Sequence, residues 1–328
     1  MTRSAWHDLK SASFESASLR SIGLAALLLL ASLSGATAQT VGFSQVGTES
    51  DWRTAFSADM QAEAKRRGIT LLFADAQQSS DSQMAAVRGF IAKRVDAIVI
   101  APVFVTGWAD VLKEAQAANI PVFIADRAVD VDSSLFTARI AANFNLEGRL
   151  AGAWLAQASK GRCNIVELQG TPNSAPAIER RKGFNTIISQ FPEMRVVLSK
   201  SGDFTAENGR SMMEEFIEQT HGLQGICAVW SHNDNMILGA IAAMKQHGLH
   251  PGRDQLMVSV DGVPGIFEAM EKGEANASVE LKSDIGKYIF DVVQGYLGGK
   301  RDYPKWVVIP SDLHTQTDAA KMLAARGG

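Results

Sequence analysis

The sequence predicts an α/β fold built from two doubly wound, Rossmann-like lobes. Four short apolar runs each end at a polar cluster and are followed by a helical pattern, which is typical of the βα units of a parallel sheet. The runs occupy residues 122–125, 165–168, 228–230 and 257–260. In open parallel sheets a ligand binds beyond the carboxyl ends of the strands. Because the clusters come from both halves of the chain, we expect one ligand to be held from two sides.

The first lobe begins with strands and helices in alternation. Strands are predicted at 41–46, 69–74, 97–100 and 122–125, and the helices between them at 52–67, 84–91 and 111–118. The first helix ends at Gly68, and glycine commonly follows a helix C-terminus. This order predicts one lobe of four βα units.

A second series repeats the same architecture. After an extended segment and a helix, strands alternate with helices; the segments are 135–141, 146–158, 164–168, 177–190, 195–201, 207–218, 226–230, 235–247, 256–260 and 265–272. The last predicted elements, 275–281, 284–299 and 306–309, let the chain return to the first lobe. We therefore assign residues 39–142 and 282–310 to the first lobe and residues 143–281 and 311–328 to the second. No low-complexity linker separates them, which favours a short hinge of several strands.

The first 38 residues form a predicted signal peptide. Arg3, Lys10 and Arg20 make this segment basic, and its apolar stretch at 22–33 is short for a membrane span. The small-x-small pattern at 36–38 indicates cleavage before Gln39. The sequence thus predicts an exported, periplasmic protein, with an uncleaved membrane anchor as the alternative.

Charge excludes one class of partner. After residue 38 the chain carries 29 basic and 33 acidic residues, a net charge of −4. Such an evenly charged, mildly acidic chain lacks the basic patch that nucleic-acid binding requires. We expect a soluble protein that binds no nucleic acid.

Cys163 and Cys227 are the two cysteines of the chain, and each opens a predicted strand. If these are the first and third strands of one doubly wound lobe, they are neighbours in a 2-1-3 order. Parallel neighbours lie about 4.8 Å apart, within reach of a disulfide, and the periplasm permits the bond. A disulfide is predicted, with two buried thiols as the alternative.

Two aromatic residues at strand ends of opposite lobes are candidates for stacking on a sugar ring. Trp52 opens the first helix, and Phe204 follows a strand of the second lobe. An aromatic face packs well on the apolar face of a sugar. A core contact is the alternative for each ring.

Charged and amide side chains at the other strand ends are candidate hydrogen-bonding groups. They are Arg53, Arg127, Arg180, Asp126, Asp261, Glu280 and Asn233. Hydrogen bonds that involve a charged group are strong and directional. A lining with balanced charge favours a neutral polyol over a phosphate or an amino acid, whereas salt bridges or helix caps are the alternatives for each residue alone.

The sequence lacks the motifs of common enzyme classes. It has no Gly-x-Gly-x-x-Gly after the first strand, no Gly-x-Ser-x-Gly elbow, no phosphate loop and no zinc-type Cys/His spacing. His232 lies near the proposed site and is interpreted as a structural residue. We predict a binding protein that needs no cofactor or metal, not an enzyme.

Several segments together carry a family resemblance. They are Trp52-Arg53 after Glu49-Ser50, Asp126-Arg127, residues 201–205, Asn233-Asp234, and the nine residues Gly-Glu-Ala-Asn-Ala-Ser-Val-Glu-Leu at 273–281. The dipeptides are common, but the nine-residue segment combined with Trp-Arg is more specific. On these residues the chain resembles the periplasmic sugar-binding proteins of the ribose/galactose type, and within them the galactofuranose-binding branch that serves ABC importers.

The resemblance implies two lobes that are joined by a three-stranded hinge and close on a monosaccharide, galactofuranose or a related furanose. The implied ligand-binding residues are Glu49, Ser50, Trp52, Arg53, Asp126, Arg127, Arg180, Phe204, Asn233, Asp261 and Glu280, the last of which stands where the ribose type has a glutamine. The resemblance further implies a periplasmic monomer that delivers the sugar to a membrane permease with its cytoplasmic ATPase. A periplasmic sensor that presents the closed form to a chemoreceptor or a histidine kinase is the alternative.

Overall fold

Two six-stranded sheets organise the protein in the computed structural model, which describes residues 38–325. The predicted signal peptide lies, apart from Ala38, outside the described residues. The strands are β1 Thr40–Gln45, β2 Thr70–Asp75, β3 Ala97–Ile100, β4 Val122–Ala125, β5 Ala138–Ala142, β6 Arg162–Gln169, β7 Glu193–Ser201, β8 Ala228–Ser231, β9 Leu256–Asp261, β10 Ala277–Glu280, β11 Trp306–Ile309 and β12 Leu313–Thr315.

Helices flank both sheets and follow most of the strands. They are α1 Asp51–Arg66, α2 Ser80–Ala92, α3 Ala109–Ala117, α4 Phe144–Ala158, α5 Ala175–Ile188, α6 Ala206–Gln219, α7 Asp234–Gln246, α8 Pro264–Glu271, α9 Gly286–Leu297 and α10 Ala319–Ala325. None of the helices within 38–325 is both long enough and apolar enough to cross a membrane.

The strand orders confirm the predicted fold class. The first sheet runs β11-β5-β4-β3-β1-β2 and the second β12-β10-β9-β8-β6-β7, so each has the 2-1-3-4-5 order of a doubly wound sheet. All pairings are parallel except that of β10 with β12, an antiparallel edge that the sequence did not indicate. In both sheets the order reverses beside the first strand, and a crevice for a ligand forms at that point.

The chain passes between the two sheets three times. It crosses after β5, after β10 and after β11, because β11 pairs with β5 in the first sheet and β12 pairs with β10 in the second. On this basis we propose lobe boundaries at residues 142, 281 and 310. The two lobes built on these sheets are called the first and second lobe below.

Element bounds differ from the predictions by a few residues. Within the segment predicted as extended at 135–141, the chain finishes a short 3-10 turn at Ser133–Leu135 before β5 begins at Ala138. Strand β12 and helix α10 were not predicted. Strand β12 has 3 residues and helix α10 has 7, so both are too short for a periodic pattern to mark them in the sequence.

Side-chain caps determine where the helices nearest the crevice begin. Ser50 Oγ accepts a hydrogen bond from the Arg53 N–H at 3.1 Å and starts α1. Asn233 Oδ1 accepts from the Met236 N–H at 3.0 Å and starts α7. A cap contributes roughly 1 kcal/mol to helix stability. Both helices therefore begin at fixed positions relative to the strand that precedes them.

The disulfide between Cys163 and Cys227 is present, with a Cα–Cα distance of 5.4 Å. Its two residues lie at the start of adjacent strands, since Ile165 of β6 pairs with Ala228 of β8. The prediction of neighbouring first and third strands was therefore correct. The bond closes a loop of 64 residues, for which chain entropy predicts a stabilisation of about 4 kcal/mol.

Helices α6 and α7 cross with backbone contact at Gly239, which gives a test of the packing. A Cβ at Gly239 would overlap the carbonyl oxygen of Ala206. We expect Gly239→Ala to lower the free energy of unfolding by about 1–3 kcal/mol, since the helices must separate. In α2, a Cβ at Gly89 would meet nothing within 4 Å. As the matched control, Gly89→Ala should raise stability by about 0.5–1 kcal/mol, and equal effects of the two changes in urea unfolding would contradict the packing.

Candidate functional site

A small cavity lies between the lobes at the carboxyl ends of both sheets. The non-atom space there is about 280 Å³, including the part that is open to solvent. The lining residues are Glu49, Ser50, Trp52, Arg53, Asp126, Arg127, Phe144, Pro176, Arg180, Phe204, Asn233, Asp261 and Leu281. A wider hollow near Asp96 and Tyr303 lies at the opposite end of the first sheet, where no candidate ligand residue was predicted.

The structure brings ten of the eleven predicted site residues together around this cavity. The exception is Glu280, whose carboxylate lies 3.5 Å from Nε2 of His314. The next residue, Leu281, follows β10 and is among the residues that line the cavity. The ligand-binding role of Glu280 stays a prediction.

Three apolar lining residues were not predicted. Phe144 begins α4 directly after β5, and Pro176 lies in the first turn of α5. Both residues follow the end of a strand. Neither belongs to a polar cluster, which was the criterion for choosing candidates, so neither was chosen. Leu281 contributes its carbonyl oxygen, which accepts a hydrogen bond from Nε1 of Trp52 at 2.6 Å.

Arg53 is held by two carboxylates of its own lobe. Its Nη1 donates to Oδ2 of Asp126 at 2.8 Å, and its Nε donates to Oε1 of Glu49 at 3.2 Å. Burial alone would raise the pKa of Glu49, but the neighbouring guanidinium groups of Arg53 and Arg127 outweigh it and lower that pKa. The pair of carboxylates therefore compensates the cost of burying this arginine.

Arg127 is not the main partner of Asp126, its neighbour in the sequence. Its Nε is 4.0 Å from Oδ2 of Asp126, so the main partner of Asp126 is Arg53. Nη1 of Arg127 donates to the carbonyl oxygen of Val103 at 3.0 Å, and Nη2 donates to Glu49 at 3.4 Å. Burial and the like charge of Arg53 lower the pKa of Arg127 to about 10, which still leaves it charged at neutral pH.

Arg180 is the arginine that the second lobe contributes to the cavity lining. Its Nε donates to Oε2 of Glu147 at 2.9 Å, and its Nη1 donates to the carbonyl oxygen of His232 at 2.5 Å. Asp261 lies 3.6 Å from its Nη2. Burial raises the pKa of Asp261 well above its usual value, and burial also raises the pKa of Glu147. The buried guanidinium therefore faces two carboxyl groups that take up protons readily.

Each of the three guanidinium groups also faces an aromatic ring. The distances from Cζ to the ring centroid are 4.7 Å for Arg53 over Trp52, 5.5 Å for Arg127 over Phe204 and 5.2 Å for Arg180 over Phe144. Such cation–π contacts are worth about 1–2 kcal/mol when desolvated. The three aromatic residues thus contact the guanidinium groups as well as lining the cavity.

Three polar atoms of the lining are buried and make no hydrogen bond within residues 38–325. They are Nε of Arg127, Nη2 of Arg180 and Oε2 of Glu49. A buried polar group without a partner costs about 1–3 kcal/mol. Two donors and one acceptor are therefore available to a hydroxylated ligand that touches both lobes.

Three of the residues that line the cavity have a strained backbone. Asp126, Phe204 and Asp261 have φ values of 59°, 66° and 124°, in the left-handed region that non-glycine residues rarely adopt. Strain of this kind costs about 1–3 kcal/mol for each residue and persists where the surroundings impose it. All three residues are among those that line the cavity.

A buried network behind the cavity supports Arg180. His232 is fully buried, with Nε2 at 3.1 Å from Oε1 of Glu167 and Nδ1 accepting from the Gly170 N–H at 3.3 Å. Ser199 Oγ donates to Oε2 of Glu167 at 2.5 Å. These contacts make His232 a structural residue whose carbonyl oxygen orients Arg180.

No group of three or more His, Cys, Asp or Glu within the described part of the chain has the geometry to hold a metal ion. The polar groups of the cavity instead pair with one another across distances suited to hydrogen bonds. The arrangement can bind and orient a small polar molecule.

Comparison with known proteins gives consistent matches. A family model, the periplasmic binding protein domain, matches residues 41–301. The galactofuranose-binding protein YtfQ of Escherichia coli (strain K12) is 48% identical over 293 residues, 89% of this chain and 89% of that protein. The periplasmic binding protein component of the arabinose ABC transporter from Shewanella sp. ANA-3, solved with α- and β-L-arabinofuranose, is 52% identical with a TM-score of 0.86 over 88% of this chain and 95% of that one. A Mycobacterium smegmatis structure in complex with β-D-fucofuranose is 39% identical, with a TM-score of 0.85 and coverage of 88% and 95%.

The buried His232 predicts a loss of stability in acid. Burial lowers its pKa below 6.5, although Glu167 acts in the opposite sense. As the pH falls through 6.5 the unfolded chain gains a proton that the folded protein does not, so stability falls. Between pH 7 and 5 this contribution to the free energy of unfolding is lost progressively. Urea unfolding at both pH values should show that His232→Gln loses less stability than the wild type, and equal losses would contradict a neutral His232.

Proposed function

The chain belongs to the periplasmic binding protein domain family, as the resemblance predicted, and on this basis we propose that it captures a neutral monosaccharide in the periplasm for an ABC importer. The observation that carries the proposal is the cavity between the lobes, with unpartnered donors and an acceptor among the residues that line it. The cavity performs no chemistry on the ligand, in keeping with relatives that are binding proteins.

Charge in and around the cavity supports a neutral ligand. Three guanidinium groups face the carboxyl groups of Glu49, Asp126, Glu147 and Asp261, two of which have a raised pKa. An anionic ligand would meet Glu49 and Asp126, and a cationic one would meet the arginines. Hydroxyl groups can both donate and accept, so they satisfy such a mixed wall without bringing charge.

A furanose ring is the ligand class that we propose. Three relatives that are 39–52% identical carry galactofuranose in their name or are described with arabinofuranose or fucofuranose. These sugars share a five-membered ring and differ in their substituents. The structural similarity of this chain to the arabinofuranose-bound and fucofuranose-bound proteins supports the same class of ligand for this chain.

Capture would proceed by closure of the two lobes. Hydrogen bonds cross the cleft from the Asp51 N–H to Oδ1 of Asn235 at 3.2 Å and from the Val105 N–H to the carbonyl oxygen of Asn173 at 3.1 Å. A sugar that contacts arginines of both lobes binds the closed form better than the open one and shifts the population towards it. The closed form would then dock on the membrane permease, which a cytoplasmic ATPase drives. The sensor alternative is not favoured, because the arabinofuranose-bound relative belongs to an ABC transporter.

Arg180→Met tests the site. The change leaves Glu147 and Asp261 buried without their cation, so we expect sugar affinity to fall on the order of 100-fold, about 3 kcal/mol. Calorimetric titration with L-arabinose and D-galactose measures the loss. Lys182→Met, at an exposed position of the same helix, is the matched control and should bind as the wild type does. Unchanged affinity in a folded Arg180→Met protein would contradict the assigned site.

The ring form of the bound sugar can be read separately. With 13C-labelled L-arabinose or D-galactose, the anomeric carbon of the bound sugar should resonate where furanoses do. A pyranose resonance would contradict the furanose class and leave sugar capture intact, whereas no binding of any monosaccharide would contradict capture itself.

A further inference from the structure

Gln83 of α2 is fully buried, yet it is not among the residues that line the cavity. Its side-chain amide makes two hydrogen bonds to the segment that follows β3, residues 101–105. Nε2 donates to the carbonyl oxygen of Ala101 at 2.7 Å, and Oε1 accepts from the Val103 N–H at 2.8 Å. The amide therefore engages this segment on both sides of Pro102, which has no N–H of its own.

The same segment holds Arg127 in place. The carbonyl oxygens of Val103 and Pro102 accept from Nη1 of Arg127 at 3.0 and 3.5 Å. The Nε of this guanidinium is one of the unpartnered donors of the cavity wall. The direction in which that N–H points is thus fixed by carbonyl groups whose own position depends on Gln83.

We propose that Gln83 is a positioning residue for sugar binding, which acts through residues 101–103 on the guanidinium of Arg127. The inference rests on the proposed function of the cavity. Only a side chain with one donor and one acceptor at this distance satisfies Ala101 and Val103 together, so a glutamine amide is suited to the task and an apolar side chain of equal length is not. Without the amide, the buried N–H of Val103 and carbonyl of Ala101 lose their partners and the segment must move to find others.

The second lobe offers a matched control. Asn276 uses its amide in the same way: Oδ1 accepts from the Met257 N–H at 2.7 Å, and Nδ2 donates to the carbonyl oxygen of Gly252 at 3.0 Å. These bonds lie at the amino ends of β9 and β10, the end of the sheet away from the cavity. Loss of this amide should destabilise the protein without changing the position of Arg127.

The experiment compares Gln83→Met with Asn276→Leu by calorimetric titration with the sugar that the wild type binds, and by thermal unfolding. We expect both changes to lower Tm. Gln83→Met should weaken sugar binding at least tenfold, and Asn276→Leu should leave it within twofold. Gln83→Glu keeps the acceptor for Val103 and loses the donor for Ala101; it should fall between the wild type and Gln83→Met, and it replaces Gln83→Met if that protein does not fold.

A double-mutant cycle separates positioning from general loosening of the fold. In a background of Arg127→Met, Gln83→Met should change sugar affinity by less than twofold, because the group through which it acts is gone. The full tenfold effect in that background would overturn the inference, as would wild-type affinity in folded Gln83→Met protein; in both cases sugar capture by the wild type stands. If the wild type binds no monosaccharide, the proposed function fails and the inference fails with it.

Discussion

Three buried guanidinium groups in one small cavity impose the constraint on which the rest of the site depends. A buried charge without a partner costs several kcal/mol, so each arginine must be paired before the lobes can close around it. Arg53 is paired with Asp126 and Glu49, and Arg180 with Glu147. Arg127 instead relies on backbone carbonyl groups and a longer contact to Glu49. Asp126 and Glu49 follow strands β4 and β1, whereas Glu147 reaches Arg180 from within helix α4.

This pairing explains how a cavity that is lined by charged side chains can still favour a neutral ligand. The protein satisfies most hydrogen-bonding groups of each arginine. The buried atoms of the lining that keep no hydrogen-bond partner are Nε of Arg127, Nη2 of Arg180 and Oε2 of Glu49. A sugar lacking a hydroxyl at one of these points would leave that atom buried and unpaired, which is how a hydrogen-bonding site discriminates strongly between close analogues. Because the three atoms belong to both lobes, the same contacts that select the ligand also favour the closed arrangement.

The sequence allowed the fold and most of the site to be predicted, for one physical reason. Carboxyl ends of parallel strands meet at one edge, so polar residues such as Asp126, Asn233 and Asp261 could be placed together without knowledge of the tertiary structure. That argument does not distinguish neighbouring residues at a strand end, so Glu280 was chosen and Leu281, which lines the cavity, was not. It has no information about residues that reach the site from within helices either. Gln83 and Glu147 act on the arginines from helix positions that no local motif distinguishes.

The helix caps and the strained residues indicate which part of the protein bears the conformational cost of binding. Ser50 and Asn233 start helices with the same side chains that line the cavity, and Asp126 and Asp261 are held in left-handed conformations. Each half of the site is therefore rigid within its own lobe before a ligand arrives. The conformational cost of binding then falls on the three segments that connect the sheets rather than on the side chains, since preorganised groups lose little entropy on binding. A site divided in this way can bind its ligand through rigid-body closure of two preorganised lobes. Specificity is then set by the side chains within each lobe, and affinity depends on the equilibrium between the open and closed forms.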